Sequence, residues 1–220
     1  MRKAALFSIL IIVSCMAVPV HGQKGIDVIS IEYPPFTTLQ REDGGLAFQL
    51  LQQKTSDASI KWRPLFVPPA RAAKLVHEGN WCASFYPVSN NDNVRSIVLS
   101  DSDVRLGLVR KATDHEFAWE SLDELEGGIL ATLRTRVDSP FIQQFTDAGI
   151  TVVFVESIAS AIQMVLLNRV DMALSDDLTF SNMELENKKQ LDFSETYLLK
   201  TPIVVYLNEG CTESFGQILH

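Results

Sequence analysis

Seven side chains that could hold a small polar solute lie at the ends of predicted strands or near the starts of predicted helices. An arginine can pair with a carboxylate through two N–H groups, and an aspartate can accept from an ammonium group. Aromatic rings on either side would enclose the solute, so the set suits a zwitterion such as an amino acid. The seven are Tyr33, Phe36, Arg71, Tyr86, Thr135, Ser139 and Asp176.

The spacing of these residues fits a mostly parallel sheet. Ligands of open α/β sheets bind beyond the carboxyl ends of strands, and Tyr33 and Phe36 follow the first strand directly. The segment from Thr135 to Ser139 opens a helix, whose first N–H groups favour an anion. Asp176 and Asp177 end a short buried strand in the second half of the chain.

Apolar runs typical of strands alternate with helical patterns along the whole chain. This alternation favours parallel sheets covered by helices, in an α/β fold. Two such sets flank residues 104–109. Strands are predicted at 26–31, 60–67, 81–88, 104–109, 128–132, 151–155, 171–175 and 203–207. Helices are predicted at 46–54, 70–78, 140–148, 158–167 and 178–186.

The first 22 residues have the pattern of an export signal. Arg2 and Lys3 precede an apolar run over residues 4–18, and Val20-His21-Gly22 provides a cleavage site. The run of about 15 residues is shorter than the roughly 20 that a membrane-spanning helix needs. A lipid anchor at Cys15, within Ile12-Val13-Ser14-Cys15, is the alternative. Either way, the sequence predicts a periplasmic protein.

Composition excludes several classes of function. The formal net charge is −8, which argues against nucleic acid as a partner. Neither Cys-x-x-Cys nor His-x-x-x-His spacing occurs, and His77 and His115 are isolated, so we expect neither a metal site nor a cofactor. After the signal, Cys82 and Cys211 remain. They could form one disulfide in an oxidising compartment or be two independent buried thiols.

Four segments, in this order, carry a resemblance to a known family. They are Tyr33-Pro34-Pro35-Phe36, the Gly-Gly-Leu-Ala-Phe run at 44–48, Arg95 before Ile-Val-Leu-Ser-Asp at 97–101, and Val-Asp-Met-Ala-Leu-Ser-Asp at 170–176. Together they resemble the family-3 extracellular solute-binding proteins, the periplasmic receptors of polar amino-acid ABC importers, as a divergent branch. The resemblance covers nearly all of residues 24–208.

The resemblance implies roles for individual residues. In that family the arginine matching Arg95 grips the ligand carboxylate, and the aspartate matching Asp176 takes its ammonium group. The aromatic residues matching Tyr33 and Phe36 pack on the ligand side chain. The loop matching 135–139 offers hydroxyl and amide groups from the second lobe.

The resemblance also implies the architecture and the function. The expected fold is that of type II periplasmic binding proteins, with two α/β lobes joined by a two-strand hinge. The first lobe is predicted at residues 24–106 plus 204–220, and the second at 107–203. The implied function is capture of a small polar solute, an amino acid or related carboxylate, by hinge closure and its delivery to an inner-membrane ABC permease. The protein is expected to be a monomer and not an enzyme.

Other interpretations remain open at this point. A dehydratase-like enzyme on the same fold would need one positioned acid or base, such as Asp138, Asp176 or Asp177, and a sensor that docks on a membrane kinase would need no transport partner. The residues themselves also have structural interpretations. Tyr33 and Phe36 could be core aromatics and Asp176 a helix cap. Arg95 could pair with Asp92 or Asp101, and Arg71 could be a solvated helix residue.

Overall fold

The computed structural model of the protein describes residues 24–56, 58, 60–88, 93–136, 138–211 and 215. The predicted export signal, and with it Cys15, lies outside these residues. None of the helices that the structure describes has both the length and the apolar character needed to cross a bilayer.

Helices follow strands through most of the described chain. The strands are β1 (Lys24–Ser30), β2 (Ile60–Phe66), β3 (Ala83–Ser84), β4 (Val94–Lys111), β5 (Ile129–Leu133), β6 (Thr151–Val155), β7 (Met172–Asp176), β8 (Leu191–Phe193) and β9 (Leu199–Asn208). The helices are α1 (Leu46–Lys54), α2 (Pro69–Glu78), α3 (Pro140–Asp147), α4 (Ile158–Leu166), α5 (Asp177–Ser181) and α6 (Leu185–Lys188). Short 3-10 helices cover Leu122–Leu125 and Glu209–Cys211.

Local capping signals place several helix starts where the sequence predicts them. Ser139 accepts a hydrogen bond from the Ile142 amide and is followed by proline at the first helical position of α3. The hydroxyl of Ser157 caps α4 in the same way, accepting from the Ser160 amide. Ser121 and Glu124 form a capping box, and it opens a single 3-10 turn.

Four elements differ from the sequence prediction. Of the strand predicted at 81–88, only Ala83–Ser84 (β3) forms a strand. The helix predicted at 178–186 is two helices, because the chain leaves the helix after Ser181 and forms a new one from Leu185. At the break, both the backbone amide and the side-chain amide of Asn182 donate to the Leu178 carbonyl. The strand predicted at 104–109 is the later part of β4, whose earlier half carries several exposed polar residues that hide its period. β8 has only three residues and was not predicted.

In the sheet of the first lobe, β1 is the central strand and has a parallel neighbour on each side. β1 pairs in parallel with β2 and with β3, β3 pairs antiparallel with the end of β9, and β9 pairs antiparallel with the start of β4. The carboxyl ends of β1, β2 and β3 therefore lie at one edge. A buried apolar core fills the lobe, including Val28, Phe48, Leu51, Trp62, Leu207 and Phe215.

The second lobe repeats the arrangement around β5. β5 pairs in parallel with β6 and with β7, and β7 pairs antiparallel with the last part of β4. β8 adds to the end of β4. Two apolar clusters lie in this lobe, one centred on α4 and one that contains Leu108, Phe117, Trp119, Leu130 and Phe145.

The two long strands β4 and β9 take part in both lobes. They keep the strand ladder continuous, in the order β2-β1-β3-β9-β4-β7-β5-β6. Their pairing breaks register between Val98 and Asp103, and such a bulge bends a strand. We refer to residues 99–102 as the hinge segment. The lobe boundaries expected at residues 106 and 204 lie near it and stay predictions.

Cys82 and Cys211 form a disulfide, which decides between the two alternatives left open by the sequence. It joins the segment that enters β3 to the 3-10 helix that follows β9. Phe215, four residues later, is buried against Trp62, with ring centroids 6.5 Å apart. The end of the described chain is thus held in the core of the first lobe.

Candidate functional site

The loop after β1 is a compact turn that presents two aromatic rings. The Tyr33 amide donates to the Thr37 carbonyl at 2.8 Å, and the amides of Phe36 and Thr37 donate back to the Tyr33 carbonyl. The rings of Tyr33 and Phe36 lie with centroids 5.8 Å apart. The carbonyls of Pro35 and Phe36 accept from the first amides of α1, so the loop and the helix hold each other.

Gly45 makes this junction possible. Its φ is +104°, and a Cβ there would come within 2.5 Å of the Phe36 carbonyl oxygen. Gly45→Ala is therefore expected to lower the free energy of unfolding by about 1–3 kcal/mol from backbone strain, with the collision added to it. Urea denaturation measures the effect. Gly79→Ala, at a positive φ with nothing within 4 Å of the added Cβ, is the control for strain without collision. Equal losses in both variants would contradict the role given to the Phe36 contact.

Asp176 ends β7 and caps α5. Its Oδ1 accepts from the Thr179 amide at 2.8 Å, and the residue is 2% exposed. Burial, assisted by the charge of Asp177, raises the pKa of the Asp176 carboxyl, although hydrogen bonds from Thr179 and Tyr33 favour its charged form. Asp176 therefore caps a helix, which was the structural interpretation of this residue. It is also a buried carboxyl at the end of a strand.

The raised pKa gives a pH-dependent stability effect. Because the folded pKa lies above the unfolded value of about 3.9, the contribution of Asp176 favours folding at low pH and is lost as the pH rises through the folded pKa. Asp176→Asn removes the buried charge and keeps a good capping residue. The variant's stability relative to wild type is therefore expected to increase as the pH rises from about 4 towards 7. Urea denaturation at several pH values tests this, and a pH-independent difference would contradict it.

Two hydrogen bonds join the β1 loop of the first lobe to the start of α5 in the second. The Tyr33 hydroxyl donates to Asp176 Oδ2 at 2.8 Å, and the Thr179 hydroxyl donates to the Pro34 carbonyl at 3.2 Å. Burial, together with the negative charge of Asp176, raises the pKa of Tyr33 well above its usual value. The phenol therefore stays protonated and remains the donor.

A second contact joins the lobes through two hydroxyl groups. Tyr86 follows β3 and donates to the Thr135 hydroxyl at 3.3 Å. Thr135 lies in the loop after β5. The Arg134 amide, at the start of this loop, donates to the Val155 carbonyl at the end of β6. Ser139, at the end of the same loop, caps α3. The structure thus brings five of the predicted residues, Tyr33, Phe36, Tyr86, Thr135 and Asp176, into contacts within or between these loops.

The two predicted arginines lie in different places. Arg71 is exposed in the first turn of α2, just beyond the carboxyl end of β2, and no acidic side chain of the described residues lies within ion-pair distance of it. Arg95 is the second residue of β4, opposite Leu207, and its guanidinium lies 3.4 Å from Glu209. The structure does not bring Arg95 into contact with Tyr33 or Asp176, and its carboxylate-binding role stays a prediction.

Asp177 was predicted at the same strand end as Asp176 and as a possible acid or base of an enzyme, and the structure gives it a partner on strand β4. It accepts from the backbone amide of Arg105 at 3.1 Å and from Arg105 Nε at 2.8 Å. Burial opposes its charge, but the bonds from Arg105 outweigh burial and lower its pKa. The adjacent aspartates therefore contact different parts of the molecule: the β1 loop and strand β4. Sequence analysis also missed Thr179, whose only signal is its place three residues after a capping aspartate.

A groove of about 960 Å³ lies beside the hinge segment, between α1 and α5. Leu50, Ser102, Arg105 and Leu178 are among its lining residues, whereas Tyr33 and Asp176 are not. The groove is therefore distinct from the Tyr33–Asp176 contact. Among the residues that the structure describes, no group of three or more His, Cys, Asp or Glu side chains could hold a metal ion.

Comparison with known proteins gives no match at the level of sequence families, since neither a family model nor a curated protein sequence matches the chain. Solved structures do match. The GluR0 ligand-binding core from Nostoc punctiforme, in complex with L-glutamate, has 17% identity and a TM-score of 0.65, with 87% of this chain and 90% of that chain covered.

Two arginine-binding proteins are similar to the same extent. An ancestral arginine-binding protein bound to arginine has 17% identity and a TM-score of 0.65, over 88% of each chain. Holo ArgBP from T. maritima has 16% identity and a TM-score of 0.63, over 86% of this chain and 84% of that one. At such identities the likeness concerns the fold alone. The predicted fold is confirmed: the chain has the two-lobed α/β fold of type II periplasmic binding proteins.

Proposed function

We propose that the protein is a periplasmic solute-binding protein that captures an amino acid or a related small carboxylate between its lobes and delivers it to an inner-membrane ABC importer. The observation that carries the proposal is the hydrogen bond from Tyr33 in the first lobe to Asp176 in the second. It marks the point where a buried carboxylate and an aromatic loop meet across the lobes.

The groups around this point suit the two charges of a zwitterion. Asp176 is the acceptor for an ammonium group. Of the two arginines proposed to grip a carboxylate, Arg71 is exposed at the carboxyl end of β2, where a solute would enter, and has no acidic partner among the described residues. The rings of Tyr33, Phe36 and Tyr86 would cover the rest of the solute. The neighbours bound to L-glutamate and arginine support this ligand class.

Two features support export to an oxidising compartment. A Cys82–Cys211 disulfide fits an oxidising compartment, where structural disulfides persist. The predicted signal at residues 1–22 leads to the same compartment. We propose that the closed protein, as a monomer, is the form that an ABC permease recognises.

The pKa values and partners of the three aspartates that an enzyme could use, Asp138, Asp176 and Asp177, favour binding over catalysis. Arg136 holds the pKa of Asp138 below its usual range, and Arg105 does the same for Asp177. Neither is therefore suited to donate a proton near neutral pH, and the lowered pKa also makes each carboxylate a weaker base. Asp176 has a raised pKa, but the proposal uses its charged carboxylate as the acceptor of an ammonium group, which leaves it no proton to donate.

The proposal is tested by thermal unfolding of the mature protein with the standard L-amino acids. A ligand present at one hundred times its Kd stabilises the folded state by about 2.7 kcal/mol. At least one amino acid is expected to raise the Tm, and small-angle scattering in its presence is expected to show the compact, closed form. Absence of any shift across the amino acids would contradict the proposed ligand class.

A further inference from the structure

We infer that the protein's own side chains latch the two lobes together, so that the solute-free protein is mainly in the closed form, with the contacts between the lobes made. The latch consists of the hydroxyl groups of Tyr33, Tyr86 and Thr179, each of which bonds to an atom of the other lobe. This inference goes beyond the proposed function, because the latch holds the lobes whether or not a solute binds between them.

The latch contacts lie at two places. Tyr33 and Thr179 join the β1 loop to the start of α5, and Tyr86 joins the segment after β3 to the loop after β5. In the first lobe β1 and β3 are neighbouring strands, and in the second lobe β7, which leads into α5, is the neighbour of β5. The two contacts therefore lie side by side. Together with the long strands β4 and β9 they connect the lobes at three places, which resists both opening and twisting.

The ring of Tyr33 adds an apolar contact to the latch. It packs against the cluster centred on α4, whose buried members include Ile158, Ile162 and Val165 and all belong to the second lobe. Opening would expose this ring and the surface that it covers to water. Because burial of apolar surface is the main favourable term in most protein association, the ring favours the closed form.

Asp176 makes the Tyr33 bond the strongest part of the latch. Burial of the Asp176 charge opposes closure, as its raised pKa shows, and the Tyr33 phenol offsets this cost by donating to Oδ2. Without the phenol, the closed form would keep an unsatisfied charged oxygen at 2% exposure, and opening would give that oxygen water. Loss of a bond to a charged acceptor shifts the ratio of open to closed molecules by about ten- to one-hundred-fold, and loss of a neutral bond by about tenfold or less.

The latch needs no solute, because all of its groups belong to one chain. A solute loses translational freedom when it joins the lobes, whereas these side chains do not. A solute therefore enters through the minor, open form, and its binding exchanges contacts between the lobes without a large change in overall shape.

Small-angle scattering of the solute-free mature protein tests the inference. Unfolding in urea and refolding with the disulfide intact removes any bound solute beforehand. The wild type is expected to have the radius of gyration of the closed structure. The triple variant Tyr33→Phe, Tyr86→Phe, Thr179→Val removes the three hydroxyl groups and nearly preserves the shapes of the side chains. Its ratio of open to closed molecules is expected to rise by about two to four decades, which increases the radius of gyration.

Tyr206→Phe is the matched control, because Tyr206 lies on β9 opposite Ser84 and packs within the first lobe. It is expected to be as compact as the wild type, and thermal unfolding shows whether each variant is folded. A solute-free wild type more expanded than the closed structure, or a folded triple variant as compact as the wild type, would overturn the inference. The wild-type result decides by itself if the triple variant does not fold. Failure of every amino acid to bind would contradict the proposed function alone, since this test contains no solute.

Discussion

Asp176→Asn is expected to lower the affinity for the amino acid by roughly two to four decades. Removing one partner of a buried charge pair costs about 3–5 kcal/mol, at about 1.4 kcal/mol per decade. The substitution preserves the shape of the side chain, and asparagine caps a helix as well as aspartate does. The Thr179 amide therefore keeps an acceptor, and the loss reports on the charge and not on α5. Calorimetry on the folded variant measures it.

Asp177→Asn is the control for this experiment. Asp177 is the neighbouring residue, and it bonds to Arg105 rather than to the β1 loop. The side chains of Arg105 and Asp177 are 52% and 25% exposed, and ion pairs open to solvent contribute at most about 1 kcal/mol, so we expect a change in affinity below about one decade. Wild-type affinity in Asp176→Asn would mean that the solute's amino group binds elsewhere. An equal loss in both variants would indicate a general effect of charge near α5.

The second large effect concerns the disulfide. Cys82 and Cys211 are separated by 129 positions, and closing a loop of that size stabilises the folded state by about 4–5 kcal/mol in the chain-entropy account. The double variant Cys82→Ser, Cys211→Ser leaves no free thiol from this pair. It is expected to lose free energy of unfolding on that scale, which corresponds to a fall in Tm of roughly 10–20 °C for a domain of this size.

Urea denaturation of the oxidised, reduced and double-serine proteins checks this expectation. The reduced wild type and the double variant are expected to unfold at similar urea concentrations, well below the midpoint of the oxidised protein. Because the disulfide lies at the end of the first lobe away from the β1 loop, solute affinity is expected to change little at temperatures where the variant is folded. Identical midpoints for the oxidised and reduced proteins would contradict a stabilising role.

Local features of the fold were predictable from the sequence because their causes are local. Ser139 before proline and Ser157 before an apolar helical face fix the starts of α3 and α4. The α/β class was predictable for the same reason, because the alternation of strands and helices shows in the local pattern of apolar residues. By contrast, β8 was missed, since a three-residue strand is defined by its pairing with β4 and not by a period of its own.

The site was predicted as separate residues and not as an arrangement. Tyr33 and Asp176 were each chosen for their place at a strand end, but the hydrogen bond between them spans 143 positions and depends on how the lobes meet. Nothing local to Arg95 indicates that Glu209 lies beside it, because their proximity comes from the antiparallel pairing of β4 with β9. The pairing of the two cysteines is non-local in the same way.

The central claim is that a solute is held between the lobes at Tyr33 and Asp176. A crystal structure of the protein with the amino acid that raises its Tm most tests this directly. We expect the solute to contact both lobes, with its ammonium nitrogen about 3 Å from Asp176 Oδ2 and the Tyr33 hydroxyl moved away from that oxygen. A solute bound to one lobe alone, or in the groove beside the hinge segment with the Tyr33–Asp176 bond intact, would contradict the account.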